Sequence, residues 1–185
     1  MSPGFLIGAT QKEGDMSELL WDIETTGLHA KTGDIVISVA FLDITELYKE
    51  NEPVVLGNLD VPNDVAITVD IVNELAGWGR IIGWNTHGFD LKFLNERLLQ
   101  AGERPLLHKG SFDLKEHYKK LYPYLDGHQD TFAQALGIKH QKTPLNLEAH
   151  KRIGLGEGTE EDWEYLVTHN KEDVLGMREI MRALG

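Results

Sequence analysis

Residues 19 to 28 read LLWDIETTGL, an apolar run that carries two carboxylates, Asp22 and Glu24, two positions apart. Residues i and i+2 of a strand point to one face, so in an extended segment the two acids project side by side, one step beyond Leu20. Burying two like charges together is unfavourable unless a proton or a cation compensates. Adjacent hard oxygen donors are what Mg²⁺ or Mn²⁺ prefers, which makes the pair a candidate metal site; the plain alternative is a solvent-exposed strand end. Thr25, Thr26 and Gly27 follow with small side chains and a flexible backbone, which would let a substrate approach the main chain closely.

Working outward, the strand that holds the pair is expected from Glu18 to Ile23. IVISVAFLDI (35 to 44) is rich in β-branched residues and reads as a second strand, and PVVLGNL (53 to 59) as a third, shorter one. A helix is expected over Asp70 to Trp78. RIIGW (80 to 84) suits a buried strand, and DLKFLNERLLQAG (90 to 102) places Leu91, Leu94, Leu98 and Ala101 at helical spacing before Gly102. GSFDL (110 to 114) reads as a brief strand, and helices separated by turns account for the rest. The order predicts an α/β fold with a mixed central β-sheet flanked by α-helices. Residues 1 to 17 mix Gly, Pro, Ser and charges without periodicity, so a flexible N-terminal tail is expected there and a single domain over 18 to 185.

The 185 residues can enclose a full core without staples, and 41% apolar with 26% charged residues is ordinary for a soluble globular protein. No apolar window reaches membrane-span length, and FLIGA near the start lacks the basic residues of a secretory leader. The expectation is a soluble, cytoplasmic protein with no membrane partner. The absence of cysteine excludes disulfides, thiolate metal sites and cysteine nucleophiles, so any metal must be held by Asp, Glu or His. A net charge of −12 argues against broad grip on duplex DNA. Divalent cations set between protein and polyanion would still allow local contact with a single strand.

Two more acidic sites stand in related contexts. In GWNTHGFDLKFL (83 to 94), Asp90 opens a helix, where a carboxylate also serves as an ordinary cap. Asn85 could orient a backbone or substrate group there, and Phe89 offers a face on which a base could stack. In TEEDWEYLVTHNKEDVLGMREIMRAL (159 to 184), Thr159 and three acids mark a helix start, and Trp163, Leu166, Val174, Met177, Met181 and Leu184 form one apolar stripe. Asp173 falls on the edge of that stripe with His169 beside it, four positions earlier, while Glu172 points elsewhere. The two can equally form a plain i,i+4 hydrogen-bonded pair.

Together, DIETTGL, NTHGFD and HNKED resemble, in order and spread, the three motifs of the DEDD family of 3′-to-5′ exonucleases, which share the RNase H-like fold. The resemblance covers residues 19 to 177. It implies that Asp22, Glu24, Asp90 and Asp173 hold two divalent cations, Mg²⁺ or Mn²⁺, which would clamp a scissile phosphate between them. The segment HNKEDVL resembles the tyrosine branch of the family in spacing, yet His169 stands where that branch has Tyr. An imidazole can take a proton from attacking water near neutrality, whereas a phenol mainly orients it, so His169 is assigned to the water as base or positioner. The same carry-over makes Thr25, Thr26, Gly27 and Leu28 contacts of the terminal nucleotide, with Asn85 and Phe89 near the penultimate one.

The resemblance implies release of nucleoside 5′-monophosphates from the 3′ end of single-stranded DNA or RNA, with DNA slightly favoured. The chain would act alone or as a subunit of a replication, repair or RNA-processing complex. The rival readings are a catalytically silent nucleic-acid-binding or assembly module of the same fold and an endonuclease of that fold. HKGSFDLKEHYKKLYPY (108 to 124) interleaves lysines with Tyr118, Tyr122 and Tyr124 and could guide a strand's backbone, as could KHQK (139 to 142); the rival view is lysines facing solvent over a core edge. Asp113 is read as structural.

Overall fold

The computed structural model describes residues 17–108, 110–139 and 142–184, so the expected tail, Ser17 apart, lies outside the described residues. β1 (Glu18–Thr25) runs two residues further than expected and carries both acids within the strand. It pairs antiparallel with β2 (Val36–Asp43), from Leu19 opposite Asp43 to Thr25 opposite Val36, with an irregularity between Glu24 and Thr25. β2 pairs antiparallel with β3 (Val54–Gly57). On its other edge β1 meets β4 (Arg80–Gly83) in parallel, and β4 meets β5 (Ser111–Asp113) in parallel. The sheet order β3-β2-β1-β4-β5 is therefore mixed, as expected.

Among the described residues six α-helices flank this sheet: α1 (Val65–Ala76), α2 (Asp90–Gln100), α3 (Leu114–Leu121), α4 (Gln129–Ala135), α5 (Leu147–Gly154) and α6 (Glu160–Leu184). The period-2 alternation of β1 divides the core. Leu19, Trp21 and Ile23 face the layer that holds Ile71 and Leu75 of α1 with Phe93, Leu94 and Leu98 of α2. Leu20 faces the opposite layer, with Leu114 and Tyr118 of α3, Phe132 of α4 and Val174, Met177 and Ile180 of α6. Asp22 and Glu24 continue along the face of Leu20, which is the face α6 covers.

α1 begins five residues before the expected start at Asp70. Its first turns are dense in β-branched residues, which lower helix propensity, but Ile67, Ile71 and Leu75 recur at helical spacing and are buried. It also ends at Ala76, short of Trp78, which packs on the core edge. β3 is shorter than the expected strand because Asn58 turns inward and donates its side-chain amide to Val36 O at 3.1 Å. α6 starts where expected: Thr159 Oγ1 accepts from Asp162 N (3.2 Å) and Asp162 Oδ2 accepts from Thr159 N (3.0 Å), a reciprocal cap.

Candidate active site

β4 pairs with β1 only as far as Leu20, so beyond that point the β1 edge has free backbone donors. The chain leaves β4 at Gly83 and returns to fill this gap. Asp90, the first residue of α2, accepts a hydrogen bond from Ile23 N at 3.2 Å, which brings its carboxylate beside the acidic pair of β1. From the opposite layer α6 supplies His169 and Asp173, one turn apart, both buried. A cleft of about 370 Å³ at the C-terminal end of β1 is lined by Asp22, Glu24, Asn85, Phe89, Asp90, His169 and Asp173. In open α/β sheets this end of the strands is where ligand crevices form.

The electrostatics follow from packing four acids in one buried place. Burial, then repulsion from Asp173, Asp90 and Glu24, holds the Asp22 carboxyl well above the usual carboxylate range. Glu24 is raised by burial first and Asp173 next, with Lys142 opposing. Burial pushes Asp90 up to about 7 against the hydrogen bond from Ile23. Asp173 is also raised by burial, although Lys142 pulls the other way. The donors are hard oxygens whose charge is only partly met by the protein itself, and that set suits divalent cations. Ligand atoms of Glu24, His169 and Asp173 lie within 4.8 Å of one another.

Around the acids stand contacts that the sequence reading did not show. Lys142 places Nζ 2.6 Å from Asp173 Oδ1, so one lysine of the KHQK stretch serves the acidic cluster; His140 and Gln141 lie outside the described residues. Residues 142 to 146 form a strap over α6: Thr143 N donates to Glu172 Oε2 (2.6 Å), His169 Nδ1 donates to Thr143 O (2.8 Å), and Asn146 N donates to Tyr165 Oη (2.7 Å). Glu172 thus points away from the acids, as expected. His169 stacks on Tyr165, rings 5.6 Å apart and 23° from parallel, and its Nε2 lies 3.6 Å from Glu24 Oε1 and 3.8 Å from Asp173 Oδ2.

Asn170, fully buried, donates Nδ2 to Asp22 Oδ2 at 3.1 Å and accepts from Ser38 Oγ at 2.9 Å, which locks the Asp22 carboxylate to β2 and α6 together. The one available signal for it was its place next to His169 in HNKED. His150 of α5 donates Nδ1 to Thr25 O (3.1 Å), and burial lowers its pKa against that bond. Nothing in the sequence marks that contact, which spans 125 positions.

The expected substrate contacts fall in two groups. Asn85 and Phe89 line the cleft. Among the described residues, the cleft lining does not include Thr25, Thr26, Gly27 or Leu28. Thr25 Oγ1 donates to Gly27 O at 2.6 Å, and Thr26 Oγ1 accepts from Ile35 N at 3.0 Å, so both hydroxyls serve the turn after β1. The Asp34 carboxylate is what approaches Gly27, 2.5 Å from where a Cβ would stand. Leu28 is exposed and shares a smaller neighbouring groove with Phe89. In the 108 to 124 segment Tyr118 belongs to the core and Tyr122 packs against it, so of the three interleaved tyrosines the exposed ring is Tyr124. Asp113 is structural as read, accepting from Asn85 N (3.1 Å), His87 N (3.0 Å) and Glu116 N (3.1 Å).

The fold and this cleft together define the class. The family model of the RNase_H superfamily matches residues 19–185, and the chain belongs to that superfamily. Among solved structures it is similar to a family B DNA polymerase from the hyperthermophilic archaeon Pyrobaculum calidifontis, at 16% identity and TM-score 0.66 over 90% of this chain and 24% of that one. It is also similar to product-bound exonuclease I, at 18% identity and TM-score 0.57 over 84% of this chain and 46% of that one. E. coli exonuclease I in complex with a dT13 oligonucleotide matches at 17% identity and TM-score 0.53, over 91% of this chain and 40% of that one. The chain thus spans about a quarter of the polymerase and under half of exonuclease I. The expected resemblance to DEDD exonucleases agrees with the exonuclease I structures. No curated protein matches in sequence. Among the described residues no helix is long and apolar enough to cross a membrane.

Proposed function

We propose that this chain is a metal-dependent 3′-to-5′ exonuclease that releases nucleoside 5′-monophosphates from single-stranded nucleic acid, DNA ahead of RNA. The observation that carries the reading is the meeting of Asp22, Glu24, Asp90 and Asp173, from three distant segments, in one buried cleft with raised carboxyls. These four would hold two divalent cations, Mg²⁺ or Mn²⁺, which when bound supply a nucleophile from water and stabilise the charge on the phosphate and leaving oxygen. Asn170 fixes the orientation of Asp22, and the bond from Ile23 fixes Asp90, so the acids are preorganised by the sheet and α6. His169, held through Nδ1 by Thr143, turns Nε2 toward the acids, where it can accept a proton from water. Phe89, at the cleft wall, offers a sequence-tolerant stacking face. The dT13 bound by the similar exonuclease I supports a single-stranded DNA substrate.

The test is a time course on single-stranded DNA and RNA labelled in turn at each end, with Mg²⁺, Mn²⁺ or EDTA, and with Asp22→Ala as control. A metal-dependent ladder shortening from the 3′ end and absent in the variant is expected, faster on DNA. Strand binding without cutting would leave a silent module, and internal cuts would make the protein an endonuclease.

A further inference from the structure

We infer that a strand entering the cleft lays its sugar-phosphate backbone along α3, on Lys115, Lys119 and Lys120, with Asn85 as the sill between this track and the acids. The inference deepens the exonuclease reading and rests on it. Asn85 lines both the acidic cleft and a second, more open cavity of about 310 Å³ whose other walls are Lys115, Glu116, Lys119 and Lys120. The two cavities therefore share Asn85 as a common wall.

The sill is rigid. Asn85 has a left-handed backbone (φ 60°), a conformation that Asn adopts more readily than most residues, and its N–H donates to Asp113 Oδ1 at 3.1 Å. Lys115 Nζ donates to its side-chain oxygen at 3.1 Å. A Cβ on Gly88 would come within 2.7 Å of that same oxygen, so the loop closes tightly behind it. Leu114 and Tyr118 bury the other side of α3, which turns the lysine side outward. Lys115 and Lys119 are one turn apart, about 6 Å along the axis at the usual helical rise. In a chain of net charge −12, three lysines within six residues stand along this wall, and Lys119 Nζ also donates to Asp126 O at 3.2 Å. The acid among them, Glu116, lies 3.3 Å from His87 Nδ1.

A neighbouring groove fits a different part of the substrate. It shares Phe89 with the cleft and adds the exposed Leu28, an apolar surface suited to a base. Of its two lysines, Lys31 lies 3.7 Å from Glu96, which answers its charge. The strand's end and its upstream phosphates thus find separate, chemically matched walls.

The experiment compares the wild type with the triple variant Lys115→Gln/Lys119→Gln/Lys120→Gln and the double variant Lys31→Gln/Lys92→Gln, each first checked for an unchanged melting temperature. Anisotropy titrations with labelled dT2 and dT12 are run across salt concentrations, with Ca²⁺ as the divalent cation. The triple variant is expected to weaken dT12 binding tenfold or more, to weaken dT2 binding by a smaller factor because Lys115 also holds Asn85, and to reduce the salt slope for dT12 by about 2, since each single-strand phosphate contact contributes roughly 0.7. The double variant should change the dT12 slope little. An unchanged slope in the triple variant, its loss in the double variant instead, or failure of the wild type to bind dT12 overturns the track. Hydrolysis by the wild type of thymidine 5′-monophosphate p-nitrophenyl ester, a diester too short to reach α3, tests the nuclease reading separately.

Discussion

His169 shows how one side chain's partners decide its chemistry. Its Nδ1 donates to Thr143 O, so in the neutral ring the lone pair sits on Nε2, 3.6 Å from Glu24 Oε1 and 3.8 Å from Asp173 Oδ2. A lone pair aimed among acids can accept a proton from water or bind a cation directly, and the two roles separate on substitution. His169→Gln removes the proton acceptor and should lower kcat by about 100-fold, the low end for losing a general base, while Mn²⁺ raises the melting temperature as much as in wild type. Loss of that thermal increment as well would make His169 a metal ligand. The sequence could show His169 and Asp173 on one helix face, because helical spacing is local. It could not show Lys142 on Asp173 or Asn170 between Asp22 and Ser38, since those contacts depend on how the strap and β2 meet α6.

Among the elements, α5 carries the most consequence for its length. Its His150 grips the carbonyl of Thr25 at the irregularity that follows Glu24, and its last residue, Gly154, lies where a Cβ would collide with Thr26 Cγ2. The helix therefore presses directly on the turn that ends β1. Gly154→Ala should cost about 1–3 kcal/mol, as overpacking of a tight contact does, read as a lower melting temperature, and should reduce cleavage because the displaced turn begins one residue after Glu24. A melting temperature equal to wild type would show that the turn yields freely and that α5 does not set it. β1, β2, β4 and α2 were legible because their apolar patterns are short-range signals that burial then reinforces. The start of α1 was not, since Val65, Ile67 and Thr68 read as strand formers until Ile67 finds the sheet. The expected terminal-nucleotide role of Thr25 and Thr26 came from the resemblance, and in the fold their hydroxyls are held within the turn.

For the whole molecule, four acids with raised carboxyls meet in one cleft, and this sets how stability responds to pH. Asp90 titrates at about 7 in the folded protein, and Asp22, Glu24 and Asp173 are also raised, whereas unfolded carboxyls titrate at about 3.9–4.3. Between roughly pH 4 and 7 the folded, metal-free protein thus holds protons that the unfolded chain has released. Its stability is fully present below that window and falls as pH rises through it. Divalent cations replace those protons, so their stabilising effect must grow over the same interval. In EDTA the melting temperature should fall from pH 5 to pH 8. In millimolar Mn²⁺ the fall should flatten, with a larger metal increment at pH 8 than at pH 5. Asp90→Asn, which removes the group titrating at about 7, should lessen both the fall in EDTA and the growth of the increment. A melting temperature that holds or rises with pH in EDTA, or an equal Mn²⁺ increment at both ends, would mean that the four carboxylates do not share protons in the metal-free fold, and the cation site would lose its electrostatic basis.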